Sequence, residues 1–238
     1  MCPSYMASKN EKDTTRARAN ILREMITHSS KENPFDHEEI KEIMDLCLSC
    51  KACKSECPSS VDMAKLKAEF LQGYYDANGI PMRSRMIGHV DSLTQIMQPV
   101  AGLYNAVVGN KLTGGIVKNI LGFAQQRHIP KIAAKTLRKW YAEQDKKYIA
   151  GRQPLKSVYF FCDEFTNFND TQIGIKAISL LKKLGYEVKV VDHEESGRSA
   201  LSKGLLMKAK KHAEANIRAF EYLIDGNTPL IGLEPSAI

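Results

Sequence analysis

The chain has 238 residues, of which 43% are hydrophobic and 26% are charged, which is typical of a soluble globular protein long enough for two domains. The 34 Lys and Arg residues exceed the 27 Asp and Glu residues, so the net charge is +7. This charge favours an acidic protein partner or an anionic membrane surface. Nucleic acid is not expected, because no nucleic-acid motif accompanies the basic residues. No signal peptide opens the sequence, and no apolar run approaches the ~20 residues of a membrane span.

Helical periodicity and capping residues predict three helices in the first 80 residues. They cover 14–28 with Thr14 as N-cap, 36–47 with Asp36 and Glu39 as a capping pair, and 61–75 with Ser59 or Ser60 as N-cap. The segment between the second and third helices is rich in cysteine. The arrangement resembles an α-helical ferredoxin module, which we expect to occupy residues 1–80.

Cys47, Cys50, Cys53 and Cys57 lie in this segment, and Pro58 follows the last of them. C-x2-C-x2-C-x3-C-P is the spacing with which bacterial ferredoxins hold [4Fe–4S] clusters. Thiolates separated by two residues return to the same concave side of a short loop, so three of them can bind three corners of one cube. A disulfide set is disfavoured because nothing indicates secretion, and a structural zinc site usually pairs two C-x2-C units across a longer loop. The spacing therefore predicts an iron–sulfur cluster in a reducing, cytoplasmic compartment.

Cys2 also precedes a proline. In two-motif ferredoxins the cysteine before the proline ligates the cluster of the other motif. On that pattern Cys2 completes a four-thiolate site with Cys47, Cys50 and Cys53. Cys57 then belongs to a second cluster, whose remaining ligands are absent from these 238 residues. The alternatives are a disordered N-terminal thiol for Cys2 and no ligand role for Cys57.

Residues 81–153 are predicted to form a helical connecting region. Its helical segments are 82–97, 101–108, 116–126 and 132–148, separated by proline or glycine. We expect their Ile, Leu, Val and Met side chains to pack as the core of a helical bundle. The alternative is a face that binds a membrane surface or a partner.

Residues 154–238 are predicted to form a small α/β domain that begins after the sequence Gly-Arg-Gln-Pro at 151–154. Strands at 157–161, 187–191 and 230–233 alternate with helices at 172–184 and 202–224, which indicates a parallel sheet. The predicted fold class is therefore α + α/β: a ferredoxin module, a helical connecting region and a parallel α/β domain.

Few residues of the α/β domain are candidates for chemistry. His193 and Glu194 follow the second strand, at the edge where open α/β sheets tend to bind ligands, although a histidine in a surface loop is the simpler interpretation. Arg198, Lys203 and Glu234 either line a docking or anion site or pair with each other. Cys162 ends the first strand, and we expect it to be buried packing rather than a ligand.

Three stretches of the sequence resemble a known family. They are Cys-Pro-Ser-Tyr at 2–5 with Thr-Arg-Ala-Arg-Ala-Asn at 15–20, the cysteine motif with the segment up to residue 70, and 197–206 with Gly-Leu-Glu-Pro-Ser at 232–236. Together they resemble the iron–sulfur and cysteine-rich portion of FAD-linked oxidases of the D-lactate dehydrogenase and glycolate oxidase type. The iron–sulfur subunits of anaerobic glycerol-3-phosphate dehydrogenase and heterodisulfide reductase are related to it.

The resemblance implies an electron-transfer role. A flavoprotein domain or subunit would oxidise a 2-hydroxy acid on FAD, and electrons would pass through the [4Fe–4S] cluster to a quinone or similar acceptor. The protein would then be a cytoplasmic oxidoreductase component, with peripheral attachment to the inner face of the membrane as an option. The alternative is a non-catalytic docking or scaffold subunit of a flavoprotein or heterodisulfide-reductase-like complex.

The sequence departs from the family pattern in three respects. It lacks a flavin domain and the leading cysteines of the first motif, so by itself it is not expected to oxidise a hydroxy acid. Glu195 and Ser196 stand where the family has paired cysteines, and Ala237 stands where it has another. We therefore expect no cluster in the α/β domain. Both ends read as cut, which indicates a fragment.

Overall fold

The computed structural model describes residues 2–145 and 156–238. The boundary predicted at 151–154 and the last residues of the helix predicted at 132–148 lie outside these ranges. The α-helices are α1 Pro3–Ser8, α2 Thr15–His28, α3 Glu38–Asp45, α4 Ala52–Glu56, α5 Met63–Asn78, α6 Met82–Gly88, α7 Val90–Met97, α8 Ala101–Gly109, α9 Lys111–Ile120, α10 Leu137–Asp145, α11 Glu164–Phe168, α12 Thr171–Lys183, α13 Arg198–Ser202 and α14 Leu206–Phe220. The strands are β1 Lys156–Phe161, β2 Tyr186–Lys189 and β3 Leu230–Gly232.

The chain divides into two compact units. The first comprises the residues up to Gly88 together with Ala200–Lys208, and it contains the cysteine motif. The second comprises His89–Ser199 and Ala209–Ile238, and it contains the sheet.

The core of the first unit forms where α5 packs against α2 and α3. Phe70, in the middle of α5, is 1% exposed, and its ring centroid lies 6.3 Å from that of Phe35. Gly73 permits this approach, because a Cβ there would lie 2.6 Å from Cγ of Phe35. The other buried apolar side chains of this core include Leu22, Met25, Ile40, Met44, Met63, Leu71 and Tyr74.

The predicted N-cap agrees with the structure for α2 but not for α3. The Thr14 hydroxyl accepts a hydrogen bond from the backbone N–H of Ala17 at 3.0 Å, so the predicted cap of α2 is confirmed. The cap predicted at Asp36 is wrong, because α3 begins after His37. The Asp36 carboxylate instead accepts a hydrogen bond from the side-chain amide of Asn78 at 2.7 Å.

The N-cap of α5 is Asp62, whose carboxylate accepts a hydrogen bond from the backbone N–H of Lys65 at 3.1 Å. The prediction of Ser59 or Ser60 is wrong. Ser60 has a φ of +52°, in the left-handed region, whereas an N-cap residue is typically extended. The chain therefore turns once more before α5 begins.

Glycines break two of the predicted long helices at points of close approach. The segment 82–97 divides into α6 and α7 after Gly88, and 202–224 divides into α13 and α14 around Gly204. Gly204 has a φ of +72°, and a Cβ there would lie 2.3 Å from Cβ of Leu71. A Cβ on Gly88 would lie 2.4 Å from Cδ1 of Leu205. Tertiary contacts, which helical periodicity does not report, accompany both breaks.

The second unit contains a parallel three-stranded sheet with the order β2-β1-β3. Val158 and Phe160 of β1 enter one buried cluster with Val188 of β2, whereas Tyr159 and Phe161 enter another on α14. Apolar residues thus cover both faces of the central strand, as in parallel sheets generally. The helical first unit and this sheet confirm the predicted α + α/β fold.

The helical stretch of the second unit departs from the bundle core expected for it. Helix α9 begins at Lys111 rather than at Ile116, because the Asn110 side chain accepts from the backbone N–H of Leu112 at 2.9 Å. Apolar side chains on α8 and α9, among them Leu103 and Ile120, are exposed. The expectation of a bundle core is therefore wrong for these faces. None of the helices in residues 2–145 and 156–238 is long and apolar enough to cross a membrane.

Candidate metal centre

All five cysteines of the predicted site line one cavity in the first unit. The cavity has a volume of about 300 Å³, and its lining includes Cys2, Cys47, Cys50, Cys53 and Cys57. The fold thus brings the N-terminal cysteine to the motif loop, although 44 residues separate Cys2 from Cys47.

The cysteine loop turns through residues with left-handed backbone. Ser49 has a φ of +55° and Lys51 a φ of +60°, which are uncommon values for residues other than glycine. Lys51 precedes α4, which carries Cys53, and the backbone N–H of Cys57 bonds the carbonyl of Cys53 at 3.1 Å. Strained backbone of this kind tends to cluster at ligand-binding sites.

Cys2 is stabilised in its charged form by its neighbours. Its Sγ lies 3.0 Å from the Ser4 hydroxyl and 3.3 Å from Nη1 of Arg18. Burial opposes the thiolate, but hydrogen bonds from Ser4, Arg18 and the backbone N–H of Tyr5 outweigh it, and the pKa of Cys2 is lowered from 9.0 to about 7. A disordered thiol would not have these partners, so that alternative for Cys2 is wrong.

Arg18 is a residue of the candidate site that sequence reasoning missed. Its side chain is 1% exposed and lines the cysteine cavity, and its Nε donates to the carbonyl of Ile43 at 3.1 Å. Its Nη2 is buried and has no hydrogen-bond partner. One signal was present in the sequence: Arg18, Leu22 and Met25 recur at helical spacing and are all buried, so a cation occupies a position on the apolar face of α2.

Lys67 of α5 also contacts the cysteine loop. It is 6% exposed, and its Nζ donates to the carbonyl oxygen of Cys47 at 2.7 Å. Burial lowers the pKa of Lys67, and the nearby Cys47 opposes this by favouring the charged ammonium. A second buried cation is thus held beside the first cysteine of the motif.

Cys57 is held by backbone rather than by side chains. The backbone N–H groups of Val61 and Ser59 hydrogen-bond its sulfur and lower its pKa, whereas the N–H of Ser60 donates to its carbonyl oxygen at 2.9 Å. Successive amides that converge on one atom form an anion-binding concavity. The left-handed conformation of Ser60 belongs to this turn.

These donors suit a thiolate-bound iron–sulfur cluster. Five sulfurs line one cavity, and Arg18, which also lines it, has one buried donor without a hydrogen-bond partner. Cysteine thiolates are the usual ligands of [4Fe–4S] clusters, and hydrogen bonds to sulfur tune their potentials. Among the described residues, no group of three or more His, Cys, Asp or Glu side chains is arranged to hold a single metal ion.

Comparison with known families agrees with this site. Residues 1–62 match the 4Fe–4S dicluster domain. The match ends at Asp62, the N-cap of α5, so it contains every cysteine that lines the cavity. An iron–sulfur cluster in this dicluster domain is supported.

The chain is also similar to parts of known dehydrogenases. It is 24% identical to the D-2-hydroxyglutarate dehydrogenase of Pseudomonas putida over 99% of this chain and 27% of that protein. It is 22% identical to the Escherichia coli K12 D-2-hydroxyglutarate dehydrogenase over 100% of this chain and 27% of that protein. It is 27% identical to one of the subunits of the anaerobic glycerol-3-phosphate dehydrogenase of E. coli K12, over 61% of this chain and 36% of that protein.

The chain therefore spans about a quarter of the length of the D-2-hydroxyglutarate dehydrogenases that it resembles. No solved structure matches it significantly. The domain match and these relatives confirm the resemblance to the iron–sulfur portions of such dehydrogenases.

Outside the dicluster domain, polar residues converge at the carboxyl ends of β1 and β2. His193 is buried: its Nε2 accepts from the backbone N–H of Cys162 at 3.0 Å, and its ring stacks on Phe161 at 4.3 Å. Burial, and then the charge of Arg138, lower the pKa of His193 to about 4. The interpretation of His193 as a surface histidine is therefore wrong.

Glu195 and Ser196 stand where the family has paired cysteines, and both interact with Glu164 instead. The backbone N–H and the hydroxyl of Ser196 donate to the Glu164 carboxylate at 3.0 and 2.8 Å. Burial, and then the negative charge of Glu164, raise the pKa of Glu195 to about 8. Neither residue has a thiol, and both lie in the second unit rather than with the cysteine cavity.

The remaining candidates of the α/β domain have structural explanations. Nη1 of Arg198 lies 3.6 Å from the Glu234 carboxylate, so these residues pair with each other. Cys162 is fully buried, and burial raises the pKa of its thiol to about 12. Such a thiol is inert packing, as predicted.

Proposed function

We propose that this chain carries electrons as the iron–sulfur component of a flavin-dependent 2-hydroxy-acid dehydrogenase. The observation that supports the proposal most is the convergence of five cysteines on one cavity inside the segment that matches the dicluster domain. The cluster would supply a carrier that accepts and releases single electrons. The protein itself would bind it and set its potential.

The ligand assignment follows the crossed pattern of two-motif ferredoxins. Cys2, Cys47, Cys50 and Cys53 would hold one [4Fe–4S] cluster. Cys57 would contribute to a second cluster, with further ligands from outside these 238 residues. The lowered pKa of Cys2 and that of Cys57 both favour the thiolate forms that metal binding requires.

Buried cations and amides would then tune the site. Arg18 donates to Cys2, Lys67 fixes the carbonyl of Cys47, and backbone amides bond Cys57. Positive charge and hydrogen bonds at the sulfurs favour the more negative, reduced state, so they raise the reduction potential.

The substrate and the partners are inferred from the relatives. Two of them are D-2-hydroxyglutarate dehydrogenases, so we propose that electrons derive from a hydroxy acid of that kind. FAD would be carried by a flavoprotein domain or subunit, and a quinone or similar acceptor would take the electrons. The domains that we propose are the ferredoxin module at 1–80, the connecting region at 81–153 and the α/β domain at 154–238, in a cytoplasmic protein.

The test is anaerobic reconstitution with iron and sulfide, followed by iron analysis and EPR after dithionite reduction. We expect about four irons per chain and a reduced-cubane signal. The signal should be lost or altered in Cys2→Ser and in Cys50→Ser, and kept in Cys57→Ser. Cys162→Ala is the matched control, since this cysteine lies outside the cavity.

Two outcomes contradict the proposal. A chain that binds no iron, or that takes up zinc instead under the same conditions, would not be an electron carrier and would favour a docking or scaffold subunit. A signal unaffected by Cys2→Ser would refute the crossed ligation while leaving a cluster in place.

A further inference from the structure

The hydroxyl of Ser4 lies between two possible hydrogen-bond partners and has only one proton to donate. Its Oγ donates to the backbone carbonyl of Asp13 at 2.9 Å, and the same Oγ lies 3.0 Å from Sγ of Cys2. Ser4 is 8% exposed and Asp13 is 2% exposed, so both residues are largely shielded from solvent. Because a serine hydroxyl is a single donor, the carbonyl and the sulfur compete for it whenever both require a proton.

With Cys2 as a thiol, the hydrogen bonds around it form a chain with one direction. Nη1 of Arg18 donates to Sγ of Cys2 at 3.3 Å, and the Ser4 hydroxyl donates to the carbonyl of Asp13. The contact between Cys2 and Ser4 is then satisfied when the thiol donates to the serine oxygen. In this state there is no competition, because the sulfur supplies its own proton.

Iron ligation reverses the direction of the contact between Cys2 and Ser4. Cysteine binds a metal as a thiolate, and the thiol proton is released to solvent. Sγ then has nothing to donate, so its contact with Ser4 at 3.0 Å is favourable only if the Ser4 hydroxyl turns towards the sulfur. Hydrogen bonds to a charged acceptor are roughly twice as strong as those between neutral groups, so the sulfur is preferred over the carbonyl.

We propose that Ser4 is a positioning residue that switches its hydrogen bond from the Asp13 carbonyl to Cys2 when Cys2 ligates a cluster. The inference rests on the proposed function, and it links a cluster ligand to the turn Glu11–Asp13. Ser4 keeps its own proton throughout, since the proton that is released comes from the thiol. The bond to sulfur strengthens on reduction, because the ligands then carry more negative charge, so Ser4 favours the reduced state.

The turn that contains Asp13 is suited to report this switch. The backbone N–H of Asp13 donates to the carbonyl of Asn10 at 3.0 Å, and that of Thr14 donates to the carbonyl of Glu11 at 3.1 Å. The Ser4 hydroxyl adds a bond from α1 to this turn. Loss of the added bond should loosen the turn without unfolding it, and backbone amide exchange measures such local opening.

The first part of the experiment measures the bond to sulfur in the reconstituted chain. In Ser4→Ala we expect the ratio of reduced to oxidised cluster at a fixed potential to fall roughly fivefold, which is roughly 40 mV at about 59 mV per tenfold change. Pulsed ENDOR of the reduced chain in deuterated water should show that Ser4→Ala loses an exchangeable deuteron coupled to the cluster spin.

The second part measures the bond to the carbonyl by amide hydrogen exchange in residues 9–14. In the iron-free chain, Ser4→Ala should speed this exchange at least roughly threefold, because the hydroxyl holds the turn there. In the reconstituted chain, the same substitution should leave the exchange unchanged, because the hydroxyl has already turned to the sulfur. Each comparison is made within one state, so a general effect of cluster binding on exchange does not enter it.

Ser55→Ala is the matched control. The Ser55 hydroxyl also donates to a backbone carbonyl, that of Ala52 at 2.9 Å, but Ser55 is exposed and its bond lies within α4. We expect it to change neither the potential nor the exchange of residues 9–14. Ser4→Thr keeps a hydroxyl and should keep both wild-type behaviours. Circular dichroism melting of all three variants separates loss of the donor from loss of the fold.

Three results would overturn the switch. An unchanged midpoint potential with an unchanged deuteron coupling in Ser4→Ala would show that the hydroxyl does not bond the ligand sulfur. An effect of Ser4→Ala on residues 9–14 that is equal in both states, or absent from both, would show that Ser4 does not change partner. An equal shift of the potential in Ser55→Ala would show that the effect is not specific to Ser4. A wild-type chain without iron would refute the proposed function as well, whereas the three results above are obtained with iron bound and refute the switch alone.

Discussion

Replacing Arg18 by methionine is the sharpest test of how the protein would tune a cluster. The guanidinium is 1% exposed, with Nη1 at 3.3 Å from Sγ of Cys2 and Nε at 3.1 Å from the carbonyl of Ile43. Methionine keeps an unbranched side chain of moderate length but removes the charge and all five donors.

The size of the effect follows from the Arg18–Cys2 hydrogen bond. A hydrogen bond to a charged group contributes roughly 1.5–3 kcal/mol, and it is stronger in the reduced state because that state carries one more negative charge. If about 1 kcal/mol of it depends on oxidation state, Arg18→Met lowers the midpoint potential of a one-electron couple by roughly 40 mV. In the iron-free protein we expect Arg18→Met to have only a small effect on the free energy of unfolding. The reason is that the substitution removes a buried cation that already has one unpartnered donor.

The assay is a redox titration of the reconstituted chain followed by EPR, together with thermal melting of the iron-free form. Arg16→Met is the matched control: it removes the same side chain from the same helix, but Arg16 is 77% exposed and pairs with Glu11. Arg18→Lys keeps the charge without the planar fork, and we expect an intermediate potential.

Two results would refute this reasoning. An unchanged midpoint potential in Arg18→Met would show that the guanidinium does not act on the cluster. An equal shift in Arg16→Met would show that only the overall charge matters, and that burial beside Cys2 adds nothing.

Three further perturbations have expected outcomes. Lys67→Met should lower iron occupancy and destabilise the chain by roughly 1–3 kcal/mol, because the Cys47 carbonyl loses its donor. Lys65→Met, on the exposed side of α5, should change neither quantity. Iron analysis and urea unfolding measure the two effects. The pKa of Glu195 is raised from 4.5 to about 8, so the folded chain retains a proton that the unfolded chain loses, and stability falls as the pH rises from the unfolded value towards 8. Glu195→Gln should remove roughly 5 kcal/mol of the loss measured by urea unfolding between about pH 4 and about pH 9, and identical pH profiles would contradict this. Chelation of iron from the reconstituted chain should lower its melting temperature, whereas no change would mean that the cluster does not stabilise the fold.

The sequence predicts the features that depend on local spacing. The cysteine motif, α2 with its cap at Thr14, and the strand that ends at Phe161 lie as expected, because each is specified by residues close together in the chain. The crossed-ligation pattern also predicts that Cys2 lies near the motif, and the structure places it in the same cavity.

The features that sequence reasoning missed depend on contacts between distant segments. The break at Gly204 accompanies its approach to Leu71, and the burial of His193 depends on stacking with Phe161. An exposed face at Ile116 was only the alternative to a bundle core in the sequence analysis, because periodicity shows that a helix has an apolar face but not whether anything covers it. Periodicity likewise places Arg18 on the buried face of α2, but it does not show why a charged residue lies there. The cysteine cavity, which Arg18 lines, supplies that reason.

The charges around the cysteine cavity are themselves an argument for an anionic occupant. Arg18 and Lys67 are buried cations, and none of the ion pairs among the described residues includes either of them. Burying a charge is costly unless an opposite charge compensates for it. Sulfurs are among the groups that compensate here, since Arg18 donates to Cys2, and Cys47 favours the charged form of Lys67 more than Asp45 does. A fold that places two cations against thiols is best balanced when those thiols are ionised, and metal ligation keeps them so.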